Sequence, residues 1–350
     1  MKNRARLIHN ILTRSIAANL NFRTSTCLFR LLFFPLVVPR SSVKTMAHNV
    51  QFYFENIFNG MNKEAASIRA KRFLYHYRRK FAEDCLLLNL DFRTMFDLID
   101  EQVTVHGLDH LVEALDRGQG VLAVGSHVGS ILLGTVALVG LFRHLVGREG
   151  LHILICSEPD MTAFPALQEM MAEFYRRYHV GVSFIYTHRR KHTVASEIVK
   201  ALKNRCVVTT NLDVLTGGYS TRSYTLFNGV RVYLPAVVGA AKVVLYSDAV
   251  ILPWFNTRRH DGGLSLCIEK SIVPAPFEGG RITEDHPACM ELCGKLARKL
   301  EEWIAGHPEQ WIYLDRFHKH LADKIRTKPA SKLISCTFNW TSSETRKPAA

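Results

Sequence analysis

The feature that most limits the possible folds of this chain is the alternation of short apolar runs with helical segments. Runs rich in β-branched residues recur at 121–124, 151–156, 182–186, 206–210, 230–234, 249–254 and 264–270. Segments typical of helices stand among them, at 49–90, 107–116, 166–178, 195–203 and 286–305. Strands that alternate with helices build a sheet whose faces the helices cover. The sequence therefore predicts an α/β fold with a mixed central sheet flanked by helices.

A candidate functional site lies in the segment 118–134, which reads GQGVLAVGSHVGSILLG. Its apolar strand ends in Gly125-Ser126, a pair that turns the chain before His127 and Gly129. In α/β proteins the carboxyl ends of strands and the amino ends of helices converge, and free backbone N–H groups can face negative charge there. His127 is therefore a candidate catalytic residue, and a turn histidine without a chemical role is the alternative.

The charge balance indicates an acidic partner. The chain has 45 basic and 31 acidic residues, which gives a net charge of +14. Nucleic acid, anionic lipid head groups and an acidic carrier protein all match that charge. The sequence contains no zinc-finger spacing, no RNA-recognition signature and no uninterrupted basic helix, so nucleic acid is not a predicted partner.

The eight cysteines are scattered, and none of them forms a CxxC pair. Such a distribution is typical of a reducing compartment. Cys289 and Cys293, with His286 before them, could form a metal cluster, but one shared helical face explains their spacing better. The sequence therefore predicts no metal site.

The amino-terminal segment is basic, because residues 1–54 contain no Asp or Glu. Its most apolar part, Cys27–Val38, is about twelve residues long and carries Arg30 and Pro35, whereas about twenty residues are needed to span a bilayer. We therefore expect an interfacial anchor on an anionic surface, while a signal peptide and an organelle transit peptide remain open. The predicted organisation is a basic, helical, membrane-associating segment at 1–48, an α/β domain at 49–321 and a disordered basic tail at 322–350.

Four blocks, taken in order, resemble one family: the late acyltransferases of lipid A biosynthesis (lauroyl and myristoyl transferases), within the lysophospholipid acyltransferase group. The blocks are GVLAVGSHVGSILL, VVTTNLDVLTGGYSTRSYTLF, VGAAKVVLYSDAVILPWFNTRRHDGG and HPEQWIYLDRFH. Asp213 and Phe227 in the second block keep the family spacing of fourteen residues. The resemblance extends over roughly residues 28–320, and the joint order of the blocks makes it specific.

The resemblance implies a single acyltransferase-like domain on the cytoplasmic face of the cell inner membrane, held there peripherally or monotopically. Such an enzyme moves a fatty acyl chain from an acyl carrier protein or coenzyme A thioester to a hydroxyl or amine of a lipid or lipid-like acceptor. His127 would be the general base, and backbone N–H groups near Gly129 with a nearby arginine would stabilise the oxyanion. The thioester, as co-substrate, already carries the activation energy, so neither a cofactor nor a metal is implied.

The remaining predicted site residues are expected to bind the substrate or the carrier. Ser126, Gly129 and Ser130 belong to the histidine block, and Glu309 and Arg316 belong to the last block. Candidates for binding phosphate or an acidic carrier are Arg176, Arg177 and Arg222, with solvated arginines as the alternative.

One position departs from the family pattern. The family carries a carboxylate five residues after its histidine, where it is thought to orient the imidazole, and here Leu132 occupies that position. Either another group such as Asp213 orients His127, or the acceptor needs less help, as a neutral amine would, or the activity has been lost. The alternative function is therefore a catalytically inactive, membrane-associated homologue that binds acyl lipids.

Overall fold

A computed structural model describes residues 22–32, 34–58, 60–145, 150–157, 165–187, 191–214, 223–227, 229–275, 277 and 279–319. Arg222, residues 1–21 of the predicted basic segment and the predicted tail at 322–350 lie outside the described residues.

The described residues form helices and strands in alternation, as the sequence predicts. The helices are α1 (Phe22–Leu32), α2 (Phe34–Val37), α3 (Arg40–Asn56), α4 (Lys63–Leu87), α5 (Phe92–Gln102), α6 (Leu108–Asp116), α7 (Ile131–Leu141), α8 (Pro165–Tyr178), α9 (Lys191–Lys203), α10 (Pro235–Ser247) and α11 (Pro287–Gly306). The strands are β1 (Val103–His106), β2 (Val121–Gly125), β3 (His152–Ser157), β4 (Gly181–Tyr186), β5 (Val207–Asn211), β6 (Ser223–Leu226), β7 (Val230–Tyr233), β8 (Val250–Arg258) and β9 (Leu264–Ile268). Short 3-10 turns occupy Phe142–His144, Pro308–Gln310 and Leu314–Lys319.

The described strands build a mixed seven-stranded sheet in the order β1-β9-β8-β2-β5-β3-β4. Strands β8 and β9 are antiparallel, and every other neighbouring pair is parallel. Strands β2 and β5 are neighbours in the middle of the sheet, with Gly125 opposite Asn211. The loops that follow β2 and β5 therefore leave the sheet side by side, at one edge.

Helices cover both faces of the sheet, which confirms the predicted α/β architecture. Alternate residues of a strand point to opposite faces. Accordingly, Leu122 and Val124 join the core formed with α3, α4, α9, α10 and α11, whereas Val121 and Ala123 join the core formed with α5, α6, α7 and α8. All five residues of β2 are buried, as expected of a central strand with two covered faces.

The predicted strand at 230–234 does not extend the central sheet, which corrects the sequence analysis. It forms β7, which pairs antiparallel with β6 in a separate two-stranded ribbon. Antiparallel strands need only a tight turn between them, and Leu226 already pairs with Val230 across such a turn. The position beside β2 is taken instead by β8.

The amino-terminal helices are part of the packed domain. In α3, Met46 lies before the predicted boundary after residue 48, and Val50 and Tyr53 lie beyond it, yet all three are buried in one core. The side chain of Asn49 also donates a hydrogen bond to the backbone oxygen of Asp315 at 3.3 Å. The predicted boundary therefore falls inside one continuous helix.

The predicted apolar wedge packs mainly on α4. Phe29 and Phe34 are fully buried, and the Phe34 ring meets the edges of the Tyr77 and Phe81 rings at centroid distances of 6.3 and 5.7 Å. Leu31, by contrast, is 62% exposed. None of the described helices combines the length and the apolar character needed to cross a bilayer.

A buried ionic cluster joins α4 to the end of β8. Arg258 forms an ion pair with Glu83, and both side chains are at most 2% exposed. Arg79 pairs with the same carboxylate at 2.9 Å. Burial alone raises the pKa of Glu83, but the two arginines together hold that pKa below its ordinary value. Arg79 is therefore part of an ion-pair network.

His76 lies beside this cluster, and its protonation should oppose folding. Burial, together with the positive charges of Arg258 and Arg79, lowers the pKa of His76 from 6.5 to about 4. Between pH 6.5 and pH 4 the histidine is protonated in the unfolded chain but neutral in the folded chain. The free energy of unfolding therefore decreases as the pH falls through this range. We expect a loss of about 3 kcal/mol from this residue by pH 4, measured by urea unfolding at several pH values.

The matched comparison is His76→Gln against His260→Gln, because His260 is exposed in the β8–β9 turn. The first variant should flatten the acid side of the stability profile, and the second should leave it unchanged. An unaltered acid slope in His76→Gln would contradict the assignment.

Candidate active site

A buried carboxylate holds the imidazole of His127. The Nδ1 atom of His127 lies 2.8 Å from Oδ1 of Asp213, and the backbone N–H of His127 donates to Oδ2 at 2.8 Å. Asp213 is fully buried, and the side chain of His127 is 14% exposed. The pair forms because His127 and Asp213 each stand two residues beyond the adjacent strands β2 and β5. Asp213 thus occupies the orienting position for which the sequence offered it as a candidate.

Trp311 completes the surroundings of this carboxylate. Its indole Nε1–H donates to Oδ2 of Asp213 at 2.7 Å. Burial by itself raises the pKa of Asp213, but attraction to His127 and the hydrogen bonds from His127 and Trp311 hold the pKa below its ordinary value. An ionised Asp213 accepts a hydrogen bond from Nδ1–H, which leaves Nε2 of the neutral ring unprotonated. The nitrogen that can accept a proton is therefore Nε2.

Leu132 lies in the first turn of α7, where the family pattern has a carboxylate. It packs half-buried against the apolar core that contains α5 and α7. The acidic partner of His127 comes from the loop after β5 instead, 86 residues further along the chain.

Two of the backbone donors near Gly129, which the resemblance suggests for an oxyanion, are already engaged. Gly129 N–H donates to the backbone oxygen of Gln310 at 3.1 Å, and Ser130 N–H donates to Oδ1 of Asn256 at 2.7 Å. Gly129 has a φ of 72° and packs so closely on Asn256 that a Cβ atom would collide with its backbone. The loop uses these two N–H groups to fix its own conformation.

The carboxyl-terminal block clamps the histidine loop. Val128 forms an antiparallel bridge with Trp311, in which Ile312 N–H donates to the His127 oxygen at 3.1 Å. The side chain of Gln310 accepts from Arg258 N–H at 2.7 Å and donates to the Arg258 oxygen at 3.3 Å. The last block therefore holds the loop from one side and the end of β8 from the other.

The other predicted residues of that block lie in ion pairs or beside them. Glu309 pairs with Arg69 of α4 at 2.7 Å. Arg316 lies 3.6 Å from the carboxylate of Asp315. In the described structure Glu309 therefore attaches α4 to the carboxyl-terminal block.

Ser126 and Ser130 flank the histidine with fully buried side chains. Within the described part of the chain, neither hydroxyl oxygen has a hydrogen-bond partner. Asn256 is equally buried and presents its Nδ2 to the same region, close to Gly134. These groups give the loop a polar lining below the surface.

The predicted arginine candidates on α8 are not brought to the histidine. Arg176 and Arg177 stand in the last turn of α8, just before β4 begins, whereas His127 follows the end of β2. Since β2, β5, β3 and β4 run parallel, the two arginines belong to the opposite edge of the sheet. Both are exposed and pair with Glu173, Arg176 at 2.6 Å. The structure therefore does not bring these two arginines to the site around His127, and Arg222 lies outside the described residues.

Cys289 and Cys293 share a buried face of α11, and their sulfur atoms are 4.0 Å apart. Helix packing explains this pair, as the spacing suggested. Across the described ranges, no group of three or more His, Cys, Asp or Glu side chains is arranged to hold a metal ion.

Sequence analysis missed Tyr313 and Asn256, although each carried a signal. The phenol oxygen of Tyr313 lies 3.5 Å from Nε2 of His127, and the two ring centroids are 4.7 Å apart. Tyr313 stands two residues after the tryptophan of the last block. Asn256 is a fully buried polar residue that follows six apolar residues of β8, and a buried polar residue of this kind often has a specific hydrogen-bonding task. Comparison with models of known protein families and with curated proteins found no match for the chain.

Proposed function

We propose that the chain is an acyltransferase that moves a fatty acyl group from a thioester of acyl carrier protein or coenzyme A to a hydroxyl or amine of a lipid or lipid-like acceptor. The observation that supports this most is the 2.8 Å contact between Nδ1 of His127 and buried Asp213, which leaves Nε2 as the basic nitrogen. The thioester is the co-substrate, and the proposal includes no cofactor.

In the proposed reaction, Nε2 of His127 takes the acceptor's proton as the acceptor attacks the thioester carbonyl carbon. The carbon–sulfur bond then breaks, and the departing thiolate receives the proton from the imidazolium. Asp213 stabilises the imidazolium formed between these steps. The reaction class is tested by supplying acyl thioesters with hydroxyl and amine acceptors, and by mass spectrometry of total lipids with and without the protein.

A catalytically inactive homologue that binds acyl lipids is the second candidate. It is favoured by two observations: Leu132 replaces the family carboxylate, and the N–H groups of Gly129 and Ser130 are engaged within the protein. The retained contact between His127 and Asp213 favours catalysis.

Replacing Leu132 by Glu separates the two candidates. If Asp213 already orients His127, a second carboxylate in the apolar surroundings of Leu132 should leave acyl transfer unchanged or reduce it, because burying an unpaired charge is costly. Turnover is measured with acyl-carrier and coenzyme A donors, and Leu132→Met serves as the apolar control. An inert wild type together with an active Leu132→Glu variant would instead establish the inactive homologue.

We further propose peripheral attachment to an anionic membrane on its cytoplasmic face. The support is the acid-free segment before Glu55, together with the exposed Leu31 on α1. The protein should sediment with anionic vesicles more than with zwitterionic ones, and high salt or carbonate should release it. Leu31→Ser should weaken this binding without changing the fold. Resistance to both salt and carbonate, with release only by detergent, would contradict peripheral attachment.

A further inference from the structure

The hydroxyl of Tyr313 stands at the basic nitrogen of His127. Its oxygen lies 3.5 Å from Nε2, and the two rings are in contact at a centroid distance of 4.7 Å. The bridge between Val128 and Trp311 fixes the backbone before Tyr313 against the histidine loop, and the next residue, Leu314, is fully buried. Tyr313 is therefore held in register with the histidine loop.

Acyl transfer requires a donor for the carbonyl oxygen of the thioester, which gains negative charge as the acceptor attacks. Three backbone donors of the histidine loop are engaged: His127 N–H donates to Asp213, Gly129 N–H to Gln310, and Ser130 N–H to Asn256. Using one of them would mean breaking a hydrogen bond that shapes the site. A side-chain donor leaves those three hydrogen bonds in place.

Tyr313 has the required position. An acceptor atom that gives its proton to Nε2 must lie about 3 Å from that nitrogen. Because the phenol oxygen is itself 3.5 Å from Nε2, the phenol and an acceptor atom bound at Nε2 share the surroundings of that nitrogen. A phenol is protonated at neutral pH, since its ordinary pKa is about 10.

We propose that the Tyr313 hydroxyl donates a hydrogen bond to the thioester carbonyl oxygen as it becomes the tetrahedral oxyanion; this inference rests on the proposed acyltransferase function. The acceptor forms its bond to the carbonyl carbon, its proton passes to Nε2 of His127, and the carbonyl electron pair moves onto oxygen. The phenol keeps its proton throughout. When the oxyanion collapses, the thiolate departs and takes the proton from the imidazolium.

Replacement of Tyr313 by Phe removes the hydroxyl and keeps the ring. We expect kcat for acyl transfer to fall by about 10² to 10³, the usual cost of removing one oxyanion donor, with little change in KM. Tyr175→Phe is the matched control, because Tyr175 is 61% exposed on α8 at the opposite edge of the sheet. The control should retain the kcat of the wild type.

Fluorinated tyrosines at position 313 distinguish a donor from a packing residue. Fluorination lowers the phenol pKa, and a phenolate cannot donate. The loss of activity at high pH should therefore move to lower pH in step with the phenol pKa, which packing alone would not cause. The inference would be overturned if Tyr313→Phe kept the full kcat of the wild type, or if fluorination did not shift the pH at which activity is lost. In either case, acyl transfer by the wild type would still support the proposed function. A wild type that transfers no acyl group from any thioester donor would overturn both.

Discussion

Replacing His127 by Ala should lower acyl transfer by about 10² to 10⁴ and leave the fold intact. The imidazole carries the proposed basic nitrogen, and the variant has no base in its place. The carboxylate of Asp213 would still accept hydrogen bonds from the residue 127 backbone and from Trp311, so its burial remains compensated. The measurement is kcat/KM for thioester turnover, with circular dichroism and thermal unfolding as checks on folding.

His152→Ala is the matched control for this variant. His152 begins β3 at the opposite edge of the sheet and contacts Ser183 at 2.8 Å. Loss of activity in both variants would indicate a general effect on folding. Near-complete activity in His127→Ala would assign the base to another residue and remove the main support for the proposed function.

Replacing Asp213 by Asn should have an effect as large, of about 10⁴ in kcat, the size known for the same change in a Ser-His-Asp enzyme. If the amide –NH₂ faces Nδ1, Nδ1 must accept a hydrogen bond, and the ring proton moves to Nε2. The nitrogen that should take the acceptor's proton is then already protonated. The side chain keeps its volume, and its amide oxygen can still accept from Trp311 at the former Oδ2 position.

Nitrogen NMR of His127 shows directly which ring atom carries the proton, so the change of tautomer can be followed apart from activity. We expect the proton on Nδ1 in the wild type and on Nε2 in Asp213→Asn. Trp311→Phe is a milder companion: it removes one donor to Asp213 but not the contact with Nδ1, so it should keep the wild-type tautomer. A fully active Asp213→Asn variant would show that Asp213 does not orient the base.

The sheet was predictable from the sequence because local patterns determine it. The buried runs of β2 and β5 have the length and the β-branched residues typical of central strands, and the structure confirms both within one residue. Placing His127 and Asp213 after two such strands brought them to the same edge. Their pairing across 86 residues then required only that β2 and β5 be neighbours.

Features that depend on distant contacts could not be predicted in this way. Whether Gly129 N–H is available for an oxyanion depends on Gln310, which lies far along the chain. In the same way, the ionic cluster of Arg79 and Glu83 in α4 depends on β8, which brings Arg258 to Glu83. The spacing of apolar residues in a helix predicts which face is buried, but it does not predict which element packs against that face.

Residues 308–319 also dock on the amino-terminal helices, and this long-range contact determines when the site is completed during synthesis. Asn49 bonds to Asp315 across 266 residues, and the ring of Tyr53 packs on that of Phe317. While the chain is still emerging from the ribosome, the sheet can assemble, but Trp311 is absent and the carboxylate of Asp213 lacks one of its donors. Domains generally form as units during elongation, and contacts between distant residues form slowly. The set of hydrogen bonds to Asp213 is therefore completed only when the last block has left the ribosome and docked against α3.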